Sequence, residues 1–218
     1  MEQKTSEIWQ NAQEWEQNWH GNCINSINEE LKQLVYAEKM GLVRTPTPKT
    51  PYNFDLQGKS ILDIGGGAYS LLLKCTNFAP YIPHADKATG VIDPLMDQYP
   101  KWVRDRYLTM GIAYMQTTGE DARKSLGPDS IFDEVWLYNV LEHTYNPKKI
   151  IQNALALGKI VRIFEWLDTV ENIGHPQVLT GDKLNEWLKG TGKVEFINQN
   201  GAVGKAYYGI FPTPLYTP

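Results

Sequence analysis

Apolar positions along this chain follow two different periods. Near the N-terminus Ile8, Ala12, Trp15 and Trp19 recur at i, i+4, i+7 and i+11, which places them on one face of a helix. Gly21 ends that stripe, and Ile24, Ile27, Leu31, Leu34 and Val35 form a second. Residues 41–58 carry Pro46, Pro48 and Pro51 among several threonines, the composition of an extended linker. From residue 60 onward, short apolar runs alternate with helical stripes. Strands are predicted over 60–64, 88–92, 112–116, 132–138 and 159–165, with a closing pair over 193–198 and 203–211. A helix is predicted from Ser70 to about Asn77, and a helical region over 95–109, broken before Pro100. The next helix has Asn146 as N-cap, Pro147 at its first position, Gly158 at its end and Ile150, Ile151, Ala154 and Leu155 as its buried stripe. A last helix starts near Thr180 and buries Leu184, Trp187 and Leu188. Alternation of this kind predicts an α/β fold, with a mainly parallel sheet covered by helices on both faces.

One stretch carries candidate chemistry. The apolar run Ser60-Ile61-Leu62-Asp63-Ile64 enters Gly65-Gly66-Gly67, and the leucines 71–73 follow. Glycines in such a turn let backbone N–H groups approach a ligand closely. The carboxylate of Asp63, two residues before the first glycine, would repel a phosphate and hold a cationic group. The dinucleotide fingerprint G-x-G-x-x-G fails, because Ser70 stands where its third glycine belongs. The next strand ends in Asp93, and a carboxylate there suits a ribose diol, since it accepts both hydroxyl protons. These features fit an adenosine-bearing ligand with an amino group and no phosphates.

At this point the chain resembles the class I S-adenosylmethionine-dependent methyltransferases over residues 58–212. The motif I segment is Leu62-Asp63-Ile64-Gly65-Gly66-Gly67, the ribose acid is Asp93 in Val91-Ile92-Asp93-Pro94-Leu95, and the adenine-side acid is Asp121 in Gly119-Glu120-Asp121-Ala122. The fourth strand and its exit match in Phe132 to Tyr138 and Asn139-Val140-Leu141-Glu142-His143-Thr144. The resemblance implies a doubly wound, Rossmann-like seven-stranded sheet with its last strand antiparallel. It divides the chain into an N-terminal helical cap and linker, 1–57, and a cofactor-binding domain, 58–218. It implies S-adenosyl-L-methionine as cofactor and S-adenosyl-L-homocysteine (SAH) as product. Asp63, Gly65, Gly66, Gly67, Asp93, Pro94, Glu120, Asp121 and Asn139 are the residues it places around that cofactor.

The acceptor side is read from fewer residues. His143 follows the fourth strand in a Leu-Glu-His segment, which many O-methyltransferases share. Two roles are open to it: a general base, or a cap that buttresses the loop before Asn146. The resemblance places His175, in the loop before Thr180, at the acceptor pocket, together with Trp15, Trp19 and Tyr69. The expected acceptor is a small molecule methylated at oxygen, with sugars and specialised metabolites as its first classes. The chain departs from the family pattern at Tyr69, which replaces the third motif I glycine, and at Leu157-Gly158-Lys159, where a longer Lys-Pro-Gly-Gly turn is usual. Those departures leave room for a rival of another class, a non-catalytic binding or scaffold protein on the same fold. A nicotinamide oxidoreductase is disfavoured by Ser70 and by the carboxylate before the glycines.

Composition narrows the partners. The 218 residues carry a net charge of −4 with no basic cluster, so nucleic acid is not an expected partner. The Asn-Pro-Pro-Tyr segment of methyltransferases acting on DNA amino groups is absent. Two cysteines, Cys23 and Cys75, read as reduced core thiols and not as a disulfide framework. No secretory signal or membrane-spanning run is visible, so the expected location is cytoplasmic, with no membrane partner. The four histidines show no zinc spacing, so no metal is expected.

Overall fold

The computed structural model describes residues 10–18, 27–46, 53–82, 88–167 and 173–216. Ile8, Trp19 and Cys23 lie outside the described residues. The chain begins with helix α1, described over residues 10–18, and α2 (Ile27–Lys39). Short strand β1 (Phe54–Asp55) leads to β2 (Ile61–Ile64), β3 (Cys75–Thr76) and β4 (Gly90–Ile92). Then follow α3 (Lys101–Thr109), β5 (Ala113–Met115), α4 (Ala122–Leu126) and β6 (Phe132–Tyr138). The chain closes with α5 (Pro147–Leu157), β7 (Gly158–Trp166), α6 (Gly181–Leu188), β8 (Lys193–Gln199) and β9 (Ala202–Pro212).

Seven strands form one sheet in the order β5-β4-β2-β6-β7-β9-β8. β5 through β7 are mutually parallel, and β9 inserts antiparallel between β7 and β8. From β2 the chain winds outward through β4 to β5, then returns across β2 to β6. Strand order therefore reverses beside β2, and the carboxyl ends of β2, β4 and β6 border a crevice.

The pleat divides the core in two. Along β6, Val135 and Leu137 face one side with Ile150, Ile151 and Ala154 of α5 and Leu184 of α6. Trp136 and Tyr138 face the other side with Leu34 and Val35 of α2 and Val103 and Tyr107 of α3. Tyr36 of α2 also stacks on Phe164 of β7, centroids 4.4 Å apart. The expected caps form: Asn146 Oδ1 accepts from the Lys149 amide at 3.1 Å, and Thr180 Oγ1 from the Lys183 amide at 3.3 Å.

One expected element does not form. In place of a helix from Ser70 to Asn77, two 3-10 turns, Gly67–Tyr69 and Leu71–Lys74, run into β3. The Leu73 amide closes a 3-10 turn on the Ser70 carbonyl at 3.0 Å, and Cys75 turns extended to pair with Phe54 of β1. The Ser70 amide donates to the Tyr107 hydroxyl at 3.2 Å, and the Leu71 amide to the Tyr138 hydroxyl at 2.9 Å. Cys75 thus sits on β3, buried, with its thiol against the Leu71 carbonyl. The linker region also folds back, since Arg44 bridges antiparallel to Phe54. Among the described residues, no helix is long and apolar enough to cross a membrane.

Candidate active site

The crevice at the carboxyl ends of the strands opens into a cavity. Gly65 and Gly66 after β2, Asp93 and Pro94 after β4, Thr118 and Glu120 after β5, and Asn139 after β6 line it. Gln13 and Glu16 of α1 and Glu29, Gln33 and Tyr36 of α2 cover it. The turn has little freedom to carry side chains. Gly65 has φ +76°, and a Cβ there would stand 2.2 Å from Cγ2 of Val140. A Cβ on Gly66 would stand 2.5 Å from Oδ2 of Asp63.

Asp63 lies beneath this turn, with none of its surface exposed. Its Oδ2 accepts from Ser70 Oγ at 2.5 Å and from the Tyr138 hydroxyl at 2.6 Å, while its Oδ1 is buried without a partner. Burial pushes its pKa up to about 7, against the Ser70 and Tyr138 hydrogen bonds. Asp93 reaches the cavity wall. Its Oδ2 accepts from the Gly67 amide at 3.1 Å, and its Oδ1 from the Leu95 amide at 2.8 Å and the Tyr99 hydroxyl at 3.2 Å. Burial pushes Asp93 up to about 6, against those donors. On the β5 side the buried acid is Glu120, which accepts from the Asn146 amide at 3.0 Å. Burial raises its pKa as well.

A second cavity adjoins the first and shares Glu16, Glu29, Tyr36, Asn139 and His143 with it. Trp15, Glu142, Trp166 and His175 complete much of its wall. His143 Nδ1 lies 2.7 Å from the Gly174 carbonyl oxygen and 2.7 Å from Glu16 Oε1. Its Nε2 is 3.5 Å from Glu142 Oε1, and His175 Nε2 is 3.6 Å from that same oxygen. Burial opposes a charge on His143, but Glu16, Glu142 and the Gly174 carbonyl outweigh it and push the pKa up to about 9. Burial raises Glu142 to about 7, with the His143 charge opposing. Burial and the same charge lower His175.

Solved structures resemble this arrangement. The plantazolicin methyltransferase BpumL, in complex with a monoazolic desmethylPZN analog and SAH, matches with a TM-score of 0.57 at 11% identity, over 97% of this chain and 98% of that one. An O-methyltransferase family protein from Burkholderia thailandensis matches with a TM-score of 0.55 at 14% identity, over 93% of this chain and 63% of that one. The chain has the class I methyltransferase fold. Its seven-stranded, mainly parallel sheet and its antiparallel β9 are what the sequence resemblance implied. The 4+2 cyclase SpnF shares the fold as well, with a TM-score of 0.50 at 16% identity, over 77% of this chain and 57% of that one. No family model matches the sequence, and no curated protein does.

On this class I fold, the sequence-derived residues divide into two groups. Gly65, Gly66, Tyr69, Asp93, Pro94, Glu120, Asn139 and His143 line the first cavity, and Trp15 and His175 line the second. Three residues stand elsewhere. Asp63 supports the glycine turn from below, where its carboxylate meets hydroxyls of the protein itself. Gly67 is buried, with its amide on Asp93 and its carbonyl on the Tyr107 hydroxyl. Asp121 is exposed at the start of α4, one residue beyond the acid that enters the cavity. Trp19 lies outside the described residues. His143 stands on the wall that the two cavities share.

Several cavity residues escaped the sequence reading: Gln13, Glu16, Glu29, Gln33 and Tyr36. A signal for these five existed. Glu29, Gln33 and Tyr36 recur at i, i+4 and i+7, and Gln13 and Glu16 at i and i+3. Each set is a polar stripe beside the apolar stripe of its helix.

Proposed function

We propose that this chain is a methyltransferase using S-adenosylmethionine, acting on a small-molecule acceptor at oxygen. The observation that carries this is the charge and shape of the first cavity. Four carboxylates line it, those of Glu16, Glu29, Asp93 and Glu120, around a glycine turn that ends in no α-helix. A ligand rich in phosphate would meet repulsion there, and the glycine turn supplies no α-helix N-terminus to offset it. A nucleoside carrying a sulfonium and an ammonium group meets complementary charge. The side-chain oxygen of Gln13, buried at the cavity without a partner, is an acceptor placed for a donor that the protein itself lacks.

S-adenosylmethionine would supply an electrophilic methyl carbon on a positively charged sulfur. The chain's part is binding and orientation. Asp93 accepts from the ribose hydroxyls, Glu120 borders the adenine, and the side-chain-free Gly65 and Gly66 let the amino-acid end lie against backbone. Helices α1 and α2 close over the site and exclude water. Alignment of this kind is worth up to roughly 7–11 kcal/mol in well-oriented reactions. The second cavity, which meets the first at Asn139 and His143, is the place for the acceptor. BpumL, with SAH and a monoazolic desmethylPZN analog in one complex, supports this reading by likeness of fold.

Isothermal titration of the folded protein with SAH tests the proposal. Saturable binding that weakens in Asp93→Ala is the expected result. No binding at millimolar ligand would end it. Binding without SAH production from S-adenosylmethionine, across a panel of hydroxyl acceptors, would point to the non-catalytic reading.

A further inference from the structure

We propose that Glu142, His143 and His175 form a binding site for a divalent transition-metal ion, on the wall of the second cavity. Two imidazoles and one carboxylate meet there, each offering one ligand atom, all within 4.8 Å of one another. Zinc and its first-row neighbours take nitrogen and oxygen ligands at about 2.0–2.2 Å, so ligand atoms around a tetrahedral ion stand roughly 3.3–3.6 Å apart. Glu142 Oε1 lies 3.5 Å from His143 Nε2 and 3.6 Å from His175 Nε2. Two edges of the coordination polyhedron are therefore already at their bound length.

Three further observations point to a cation. Glu142 is 1% exposed, and its Oε2 is buried with no hydrogen-bond partner. A buried carboxylate oxygen without a donor is costly unless a cation meets it. Next, both neighbours of His143 Nδ1, the Gly174 carbonyl and Glu16 Oε1, are acceptors. The Nδ1 proton is thereby held, and Nε2, which gives up its proton when a metal binds, is turned toward Glu142. Metal-bound histidines are held in this way, by a carboxylate or carbonyl on the far ring nitrogen. Finally, the cavity carries the carboxylates of Glu16, Glu29 and Glu142. Of these, Glu29 lies 2.7 Å from Lys32 and Glu16 lies 2.7 Å from His143 Nδ1, while Glu142 adjoins both imidazoles.

The loop that brings His175 is fixed in place. The Gln177 amide donates to the Glu142 carbonyl at 3.2 Å, so residues 174–177 are pinned to the turn that holds the other two ligands. Trp15 packs over Gly174 and tilts against His175, centroids 5.9 Å apart. Three protein ligands leave open positions, and imidazole with carboxylate is the donor set for zinc, iron(II), cobalt(II) or manganese(II). Asn139 lines the same cavity as the three ligands, and an oxygen of an acceptor held there would complete the shell. That last role rests on the methyltransferase reading; the metal site does not.

The test is a titration of untagged, chelator-stripped protein with Co2+, followed by visible absorption, and with Zn2+ by calorimetry. One equivalent is expected to bind, with the ligand-field bands of a nitrogen- and oxygen-coordinated ion. His175→Ala, at a half-buried position, is expected to weaken binding at least about 100-fold, and Glu16→Gln about 10-fold through loss of ring orientation. Far-ultraviolet dichroism shows that each variant is folded. Absence of saturable binding to the folded wild type, or affinity unchanged by His175→Ala, overturns the proposal. SAH titrated into the same metal-free protein separates the two readings. SAH binding without metal binding leaves the methyltransferase and removes the metal, and the reverse result does the opposite.

Discussion

The hydroxyl of Tyr138, at the end of β6, donates to Oδ2 of Asp63, on β2, at 2.6 Å. This bond ties the two strands that flank the switch point directly beneath the glycine turn. It also holds a carboxylate where burial pushes its pKa from 3.8 to about 7. The folded state therefore binds more protons than the unfolded state between about pH 4 and 7, and stability falls as pH rises through that window. Asp63→Asn keeps an acceptor for Tyr138 and Ser70 and removes the charge. Its unfolding free energy, from urea titrations at pH 5 and pH 8, is expected to depend less steeply on pH. A full proton difference corresponds to about 1.4 kcal/mol per unit. Equal slopes in the two proteins would show that Asp63 is not the group responsible.

Asp93 titrates closer to working pH than an ordinary aspartate, at about 6. Protonation there removes an acceptor from the cavity wall. SAH affinity is therefore expected to fall as pH drops from 7.5 to 5.5, and Asp93→Ala to bind at least 10-fold more weakly at pH 7.5. That corresponds to loss of a charged hydrogen bond of about 1.5–3 kcal/mol. Calorimetry across the pH range checks both.

Gly65 leaves no room for a side chain. Gly65→Ala places its Cβ against Val140 Cγ2 while φ stays at +76°. The variant is expected to lose about 1–3 kcal/mol of stability and most of its SAH affinity. Gly58 serves as a control. It also has positive φ, but a Cβ there meets nothing within 4 Å. Its alanine variant is expected to lose less stability and to keep its affinity.

Arg162 of β7 holds α2 to the sheet. Its Nε and Nη2 donate to Glu134 at 2.6 and 3.0 Å, and its Nη1 donates to the Met40 carbonyl, just past α2, at 2.7 Å. Burial would raise Glu134, but the Arg162 bonds and charge outweigh it and hold the carboxyl at about 2. The stabilisation is thus complete above the ordinary glutamate pKa of 4.5 and is lost only as pH falls through about 2. Arg162→Met leaves Glu134 charged and buried with only Lys59 at 2.9 Å and the Trp136 indole N–H at 3.0 Å as partners, and is expected to cost about 3 kcal/mol at pH 7. Arg162→Met with Glu134→Leu is expected to recover much of that. Thermal and urea unfolding of the single and double variants measure the difference.

Much of the scaffold was legible from local pattern. β6 was readable because its neighbours in sequence alternate between two cores, Val135 and Leu137 on one side, Trp136 and Tyr138 on the other. α5 was readable because Asn146, Pro147 and Gly158 mark its ends. The segment after the glycine turn was misread as a helix. Leu71 and Leu72 are buried as a helix would bury them, yet Cys75 turns extended to pair with Phe54 of β1, a contact that no local period shows.

The sequence by itself determined the strands, their mainly parallel arrangement, the glycine turn and the acidic residues at the strand ends. Those features depend on neighbours within a few positions, where period and steric preference act directly. Only the tertiary structure decided which acids face the cavity. Asp93 and Glu120 line it while Asp63 and Asp121 do not, because each outcome turns on partners contributed by other strands and helices. The meeting of Glu142, His143 and His175 was likewise decided in three dimensions, by a loop pinned through the Gly174 carbonyl and the Gln177 amide. No spacing along the chain encodes a contact that exists only once the loop has closed.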